Sequence, residues 1–284
     1  MSPQMKIVRA PKSMQLLAQR WREQGQKIVL VPTMGALHNG HLALIRRGRQ
    51  QGDKLVVSIF VNPTQFGPRE DFSRYPRTFE ADKQRCLAGG ADALFCPEPD
   101  DMYPPDFDTW VNVEVLTSIL EGAARTAHFR GVCTVVLKLL NTVTPDVAVF
   151  GQKDYQQCVV IKRMVDDLNL PVKVVIGPTV REPDGLALSS RNVYLTVEQR
   201  RTAGVLYQAL SLAKEQITRG KTNPARLAGQ MERIIRRNSD FEIEYIEFAD
   251  PATLKRQTIV HPPAVILLAA RLGATRFIDN VIVR

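Results

Sequence analysis

Cysteine is scarce and poorly placed for chemistry. Four occur, Cys86, Cys96, Cys133 and Cys158, and no two stand at CxxC spacing, which speaks against a zinc ribbon or a dithiol redox pair. Cys133 and Cys158 lie in apolar stretches, where a thiol behaves as a small core hydrophobe. Such usage fits a reducing compartment. Aromatic residues make up only 7% and form no string interleaved with basic ones, so a module that stacks RNA bases lacks its materials. No apolar run approaches the ~18 residues of a membrane span. The first ten residues, MSPQMKIVRA, contain no apolar h-region. There is no GxSxG elbow and no cysteine with a histidine beside it, so nothing points to a covalent enzyme intermediate. Repeats and low-complexity tracts are also missing. These absences together lead to the expectation of a cytoplasmic protein with neither nucleic acid nor membrane as a partner.

What is present is ordinary globular material, 44% hydrophobic and 24% charged over 284 residues, enough to build a core without staples. The net charge of +9 suits either nucleic acid or small anionic substrates. The basic residues are mostly scattered, which favours the second. The densest clusters, Arg46 with Arg47 and Arg49, and Arg233 with Arg236 and Arg237, fall on amphipathic segments where a solvated helix face accounts for them.

Near-continuous apolar runs rich in β-branched residues occur at 27–31, 54–61, 93–96, 147–151 and 172–177. Runs of this kind imply strands covered on both faces, as in a parallel sheet. Amphipathic segments at 12–24, 41–51, 79–88, 130–141 and 156–168 alternate with them. The pattern predicts an α/β domain, a Rossmann-like doubly wound parallel sheet, over 1–177. The texture then changes. A Pro/Gly/Ser-bearing loop at 178–192 precedes helical segments at 197–218 and 224–238 and alternating strands at 242–248, 264–270 and 276–283. These predict a smaller C-terminal α+β domain over 178–284.

Four strings carry chemistry. In VPTMGALHNGHL (31–42) a strand ends and a helix begins, with His38 and His41 at the junction. Helix N-termini present free N–H groups and positive potential, and ligands of open α/β sheets bind at this edge. Histidines there can stabilise charge on a phosphoryl group. Zinc ligation and a plain turn compete with that reading, although only His128 and His261 remain and no ligand set completes a zinc site. VREPDGLALSSRN (180–192) offers two hydroxyls and an arginine to a triphosphate, or a polar loop that caps the next helix. FGQKDYQQ (150–157) places Lys153 beside Asp154, with Gln157 one turn on, or is a capped helix start. VNPTQF (61–66) offers Asn62 and Gln65, neutral hydrogen-bonders suited to a polyol or carboxylate, or is an Asn-Pro turn.

The HNGH string matches the HxGH pattern of the nucleotidyltransferase superfamily. Taken in order with VNPTQF, GQKDYQQ and LALSSRN, it makes the chain resemble the pantothenate synthetase family along nearly its whole length. RYPRT (74–78), MYP (102–104), LEG (120–122), HFRGV (128–132) and RLGATRFIDN (271–280) extend the likeness. The resemblance implies ATP-dependent ligation of (R)-pantoate and β-alanine through a pantoyl adenylate, releasing AMP and pyrophosphate. It implies an ATP site from Met34, Gly35, Ala36, Leu37, His38, Asn39, Gly40 and His41, with His41 as proton donor and His38 on phosphate. It adds Gly151, Gln152, Lys153, Asp154, Val180, Leu188, Ser189, Ser190 and Arg191 to the ATP contacts, Lys153 in a catalytic role. Gln65 and Gln157 would hold pantoate, with Asn62 and Arg130 as further substrate contacts and Asp82 as a Mg²⁺ ligand. A homodimer is the expected assembly. Gln152 stands where the family often has Glu, and Ala127 where Pro commonly precedes the HFRG histidine. A nucleotidyltransferase that stops at transfer of a nucleotide is the alternative; Gln65 and Gln157, with no cluster for an acceptor phosphate, speak against it.

Overall fold

The computed structural model describes residues 5–68 and 70–284; the first four residues of the MSPQMKIVRA stretch lie outside them. The chain divides into two compact units. The first runs to Gln152 and takes in Gln157–Pro178, and the second holds Lys153–Gln156 and Thr179–Arg284.

In the first unit the elements alternate. In chain order they are β1 (Lys6–Val8), α1 (Pro11–Glu23), β2 (Ile28–Thr33), α2 (Asn39–Arg49), β3 (Lys54–Ile59), α3 (Phe79–Ala88) and β4 (Ala93–Phe95). The short turns α4 (Pro99–Met102) and α5 (Glu121–Ala124) precede α6 (His128–Val143), β5 (Val147–Gly151), α7 (Tyr155–Asp167) and β6 (Lys173–Gly177). The six strands form one sheet in the order β1-β4-β3-β2-β5-β6, and every pairing is parallel. The inner strands are buried at almost every position, as their unbroken apolar runs require. Helices supply the covering layers. α1 opens with Pro11 at its first position and buries Met14, Leu17, Ala18 and Trp21, which share one face at helical spacing. Gly48 of α2 sits so close to β2 and β3 that an added Cβ would stand 3.0 Å from Val31 and Leu55 side-chain carbons.

The strand order reverses between β2 and β5, because β3 lies on one side of β2 and β5 on the other. Pairing of β2 with β3 continues to Thr33↔Ile59, whereas pairing of β2 with β5 stops at Leu30↔Ala148. The two strands therefore lose their ladder before their carboxyl ends. This is where open α/β sheets bind ligands.

The second unit contains α8 (Val197–Thr202), α9 (Val205–Thr218) and α10 (Pro224–Asn238), then β7 (Glu242–Ala249), β8 (Ala264–Leu272) and β9 (Thr275–Val283) as an antiparallel sheet. Its core joins Leu206, Leu210 and Ile217 of α9 to Leu227, Met231 and Ile235 of α10 and to Ile266 and Leu268 of β8. Asn223 caps α10 by accepting from Arg226 N (3.0 Å), ahead of Pro224. The expected 197–218 helix is broken at Gly204, where a Cβ would stand 2.7 Å from Asp184 O. The parallel sheet and the smaller antiparallel sheet with helices are the architecture that the sequence led one to expect. The edge strand β1 was not anticipated.

Candidate active site

β2 delivers the chain to the site at Thr33, whose hydroxyl donates to Ser58 O (2.7 Å) and accepts from Gly35 N (3.2 Å). The backbone then turns through positive φ at Gly35 (+80°) and at Ala36 (+48°). Ala36, unlike glycine, pays steric strain for that conformation. Asp82 of α3 holds it there. Its two carboxylate oxygens accept from Ala36 N and Leu37 N, each at 2.8 Å, and Thr78 Oγ1 donates to one of them at 3.1 Å. Arg85 closes the same corner through Leu37 O.

α2 begins with an unusual cap. His38 Nδ1 accepts from Gly40 N (3.1 Å), and His41 Nδ1 accepts from His38 N (3.3 Å). A ring nitrogen that accepts from an amide carries no proton, so each neutral ring bears its hydrogen on Nε2. The rings lie 4.1 Å apart by centroid. Two Nε2–H donors are thereby fixed at a helix N-terminus, where the backbone dipoles already favour an anion.

Beside this stands the turn Pro63–Gln65, a single 3₁₀ turn after β3. Asn62 is 1% exposed. Its Oδ1 accepts from Thr64 N and Thr64 Oγ1, and its Nδ2 donates to Gln65 Oε1 (3.0 Å) and Gly131 O (3.2 Å). These bonds all lie within the protein, and the one to Oε1 sets the amide of Gln65. With Oε1 occupied, Gln65 Nε2 faces Met34 Sδ (3.2 Å), a weak acceptor that a carboxylate or hydroxyl would outcompete. Gln157 is half-buried in the first turns of α7. Gln152 N donates to Gly177 O (2.8 Å), and the Gly151 carbonyl takes the Cys158 thiol (3.2 Å).

Other predicted residues also have contacts within the protein. The amides of Ala36 and Leu37 are on Asp82 and the Leu37 side chain is in the core, so neither residue offers an N–H to phosphate. Arg130 is exposed and its guanidinium lies 4.8 Å from the Trp110 ring centroid, a cation–π contact. Asp82 is 1% exposed, and its two oxygens already accept from three donors. Among the described residues no cluster of three or more His, Cys, Asp or Glu is arranged to hold a metal.

Sequence reasoning missed a polar cluster next to Gln65. Arg125 grips Glu70 in two-point fashion, Nε to Oε1 at 2.7 Å and Nη2 to Oε2 at 2.6 Å. His128 Nδ1 is 2.8 Å from Gln65 O, and its Nε2 is 3.0 Å from Arg125 Nη1. Burial, helped by the Arg125 charge, lowers the His128 pKa to about 4. Burial alone would push the Glu70 carboxyl up, but the hydrogen bonds and charge of Arg125 outweigh it and the net shift is down. The HFRGV string was the available signal.

In the second unit Lys153 Nζ lies 3.1 Å from Asp154 Oδ1, and Asn280 Nδ2 holds Lys153 O at 2.9 Å. The 178–192 loop is ordered by its own bonds. An Arg181↔Ala187 bridge and Leu188 N to Val180 O (3.0 Å) close it around Gly185. Arg181 reaches Asp279 with two bonds of 2.6 and 2.8 Å and stacks 3.8 Å above Tyr207. Ser189 caps the 3₁₀ turn Ser190–Tyr194 by accepting from Arg191 N.

Known proteins match most of this chain's length. The family model for pantoate-beta-alanine ligase matches residues 6–282. A pantothenate synthetase from Moorella thermoacetica is 53% identical over 261 residues, 92% of either chain. The crystal structure of pantothenate synthetase from Thermus thermophilus superposes with a TM-score of 0.93 at 45% identity, covering 98% of this chain and 99% of that one. The pantoate-beta-alanine ligase of Francisella tularensis, crystallised with beta-gamma ATP and beta-alanine, superposes at 0.82 and 35% identity, with 98% of both chains covered.

Proposed function

The chain belongs to the pantoate–β-alanine ligase family, and from that premise we propose how its residues divide the work. The family reaction joins pantoate to β-alanine at the expense of ATP. A carboxylate is a poor electrophile at neutral pH, so the acid must first be activated. In the reading proposed here the pantoate carboxylate attacks the α-phosphorus of ATP, pyrophosphate leaves, and the amine of β-alanine then displaces AMP from the pantoyl adenylate.

The reciprocal histidine cap of α2 carries this proposal. Negative charge grows on phosphoryl oxygens as the bond to pyrophosphate breaks, and preorganised donors stabilise such charge without reorganising. His38 Nε2–H is assigned to a phosphate oxygen, and His41 Nε2–H to the departing group as hydrogen-bond and proton donor. Gln65 Nε2 and Gln157 are assigned to pantoate. Lys153, Ser189, Ser190 and Arg191 are proposed to add positive charge and hydroxyl donors to the ATP contacts, and the 178–192 loop to shelter the adenylate from water. The described side chains form no cation cage of their own, so Mg²⁺ is proposed to enter with ATP, held by phosphate oxygens and water. A cytoplasmic homodimer is the proposed state; sedimentation of the purified chain tests the assembly.

Pyrophosphate release with ATP, Mg²⁺ and pantoate, with and without β-alanine, is the deciding assay. Sustained turnover only with both substrates, yielding AMP and pantothenate, supports the reading. His41→Ala should lose the adenylation step. ATP untouched by pantoate would defeat the substrate assignment.

A further inference from the structure

We propose that His128 is a positioning residue for Gln65, held in one tautomer by Arg125 and Glu70, so that the HFRG string at the start of α6 sets pantoate affinity without touching pantoate. The inference rests on the assignment of Gln65 to pantoate made above. A carbonyl can only accept, so the 2.8 Å contact to Gln65 O places the hydrogen of His128 on Nδ1. A guanidinium can only donate, so the 3.0 Å contact from Arg125 Nη1 needs a bare Nε2. One neutral tautomer satisfies both. Arg125 is itself fixed by its two bonds to Glu70, and its Nη2 also approaches Gln65 O at 3.4 Å.

The backbone of α6 completes the clamp. Gly131 lies against the turn so closely that a Cβ there would stand 2.4 Å from Thr64 O and 2.8 Å from Gln65 N. The Gly131 carbonyl, for its part, receives Asn62 Nδ2, the same group that orients the Gln65 side chain. The main chain and side chain of Gln65 are thus both set from the first turn of α6. With its Oε1 held by Asn62, Gln65 has only its Nε2 amide group to offer, and where that group points depends on where this turn stands.

The test compares His128→Asn with His128→Gln in the full chain, with thermal unfolding as a control. An asparagine amide can stand where Nδ1 stands and still donate to Gln65 O, while a glutamine amide reaches the Nε2 position instead. His128→Gln should raise the KM for pantoate between about ten- and a hundredfold, the scale of a small displacement of a binding group. The KM for ATP should stay within about twofold, and His128→Asn should recover most of the pantoate affinity. Equal behaviour of the two variants, or an ATP KM that moves as far as the pantoate KM, overturns the proposal. If His128→Gln does not fold, Arg125→Lys takes its place with the same expected split. A wild-type chain that ignores pantoate defeats the substrate reading separately. The crystal structure of His128→Gln then decides, since an unmoved Pro63–Gln65 turn refutes the positioning role.

Discussion

Replacing Asp82 by asparagine isolates the clamp that shapes the 34–38 loop. The carboxylate serves Ala36 N and Thr78 Oγ1 through one oxygen and Leu37 N through the other. Asparagine has a single acceptor oxygen. Whichever way the amide is turned, its NH₂ group meets a backbone N–H, and one of the two amides loses its partner in a site that is 1% exposed at both Asp82 and Leu37. An orphaned buried amide costs about 1–3 kcal/mol, and the bond that remains is no longer charge-assisted. The expected destabilisation is therefore about 3 kcal/mol, with volume and shape almost unchanged. Urea denaturation followed by circular dichroism measures it. Pantoate-dependent pyrophosphate release should fall as well, because Ala36 has lost what holds its positive φ, and extra Mg²⁺ should not restore it. A loss below about 0.5 kcal/mol, the size of an ordinary surface change, would refute the clamp. Recovery of activity at high Mg²⁺ would return Asp82 to the role of metal ligand.

Acid should weaken the first unit at the cluster beside Gln65. His128 has its folded pKa near 4 against an ordinary 6.5, so the unfolded chain takes up the proton first and stability falls as pH drops from 6.5 to 4. The loss amounts to no more than about 3 kcal/mol and should be largely absent in His128→Asn, as denaturation midpoints at pH 7, 5.5 and 4.5 will show. The lowered Glu70 carboxyl acts in the same direction, since its contribution, present above its unfolded pKa, disappears as pH falls through the folded value. Gly131→Ala forces a methyl to 2.4 Å from Thr64 O and should cost about 1–3 kcal/mol by overpacking, read by thermal unfolding. Arg181→Met leaves Asp279, whose side chain is 4% exposed, without its cation, and should cost about 3–5 kcal/mol, whereas the Arg181→Met/Asp279→Asn pair should recover part of it.

The strands of the large sheet were legible because β2, β3 and β5 are buried along nearly their whole length, and only unbroken apolar runs satisfy that. β1 escaped because three residues with an exposed, exposed, half-buried pattern give no such signal. His38 and His41 could be placed at a helix start from the strand-to-helix change of period, but not the reciprocal cap, since spacing does not say which ring nitrogen meets which amide. Asn62, Arg130 and Asp82 show what a sequence leaves out. A polar side chain looks available in a sequence, and only three-dimensional structure shows its contacts with Thr64, with Trp110 or with the 36–37 amides.

Lys153–Gln156 packs with the second unit although it lies in sequence between β5 and the body of α7. That unit is therefore discontinuous, and no single cut releases it whole. A gene fragment spanning 179–284 would omit Lys153, whose carbonyl receives the side-chain amide of Asn280, a residue 1% exposed, and Tyr155, whose hydroxyl donates to Pro251 O at 2.8 Å. Genetic dissection at the apparent 178 boundary would remove both of these contacts. The excised piece should be less stable than the same residues in the intact chain, and a four-residue stretch borrowed from upstream ties expression of one unit to synthesis of the other.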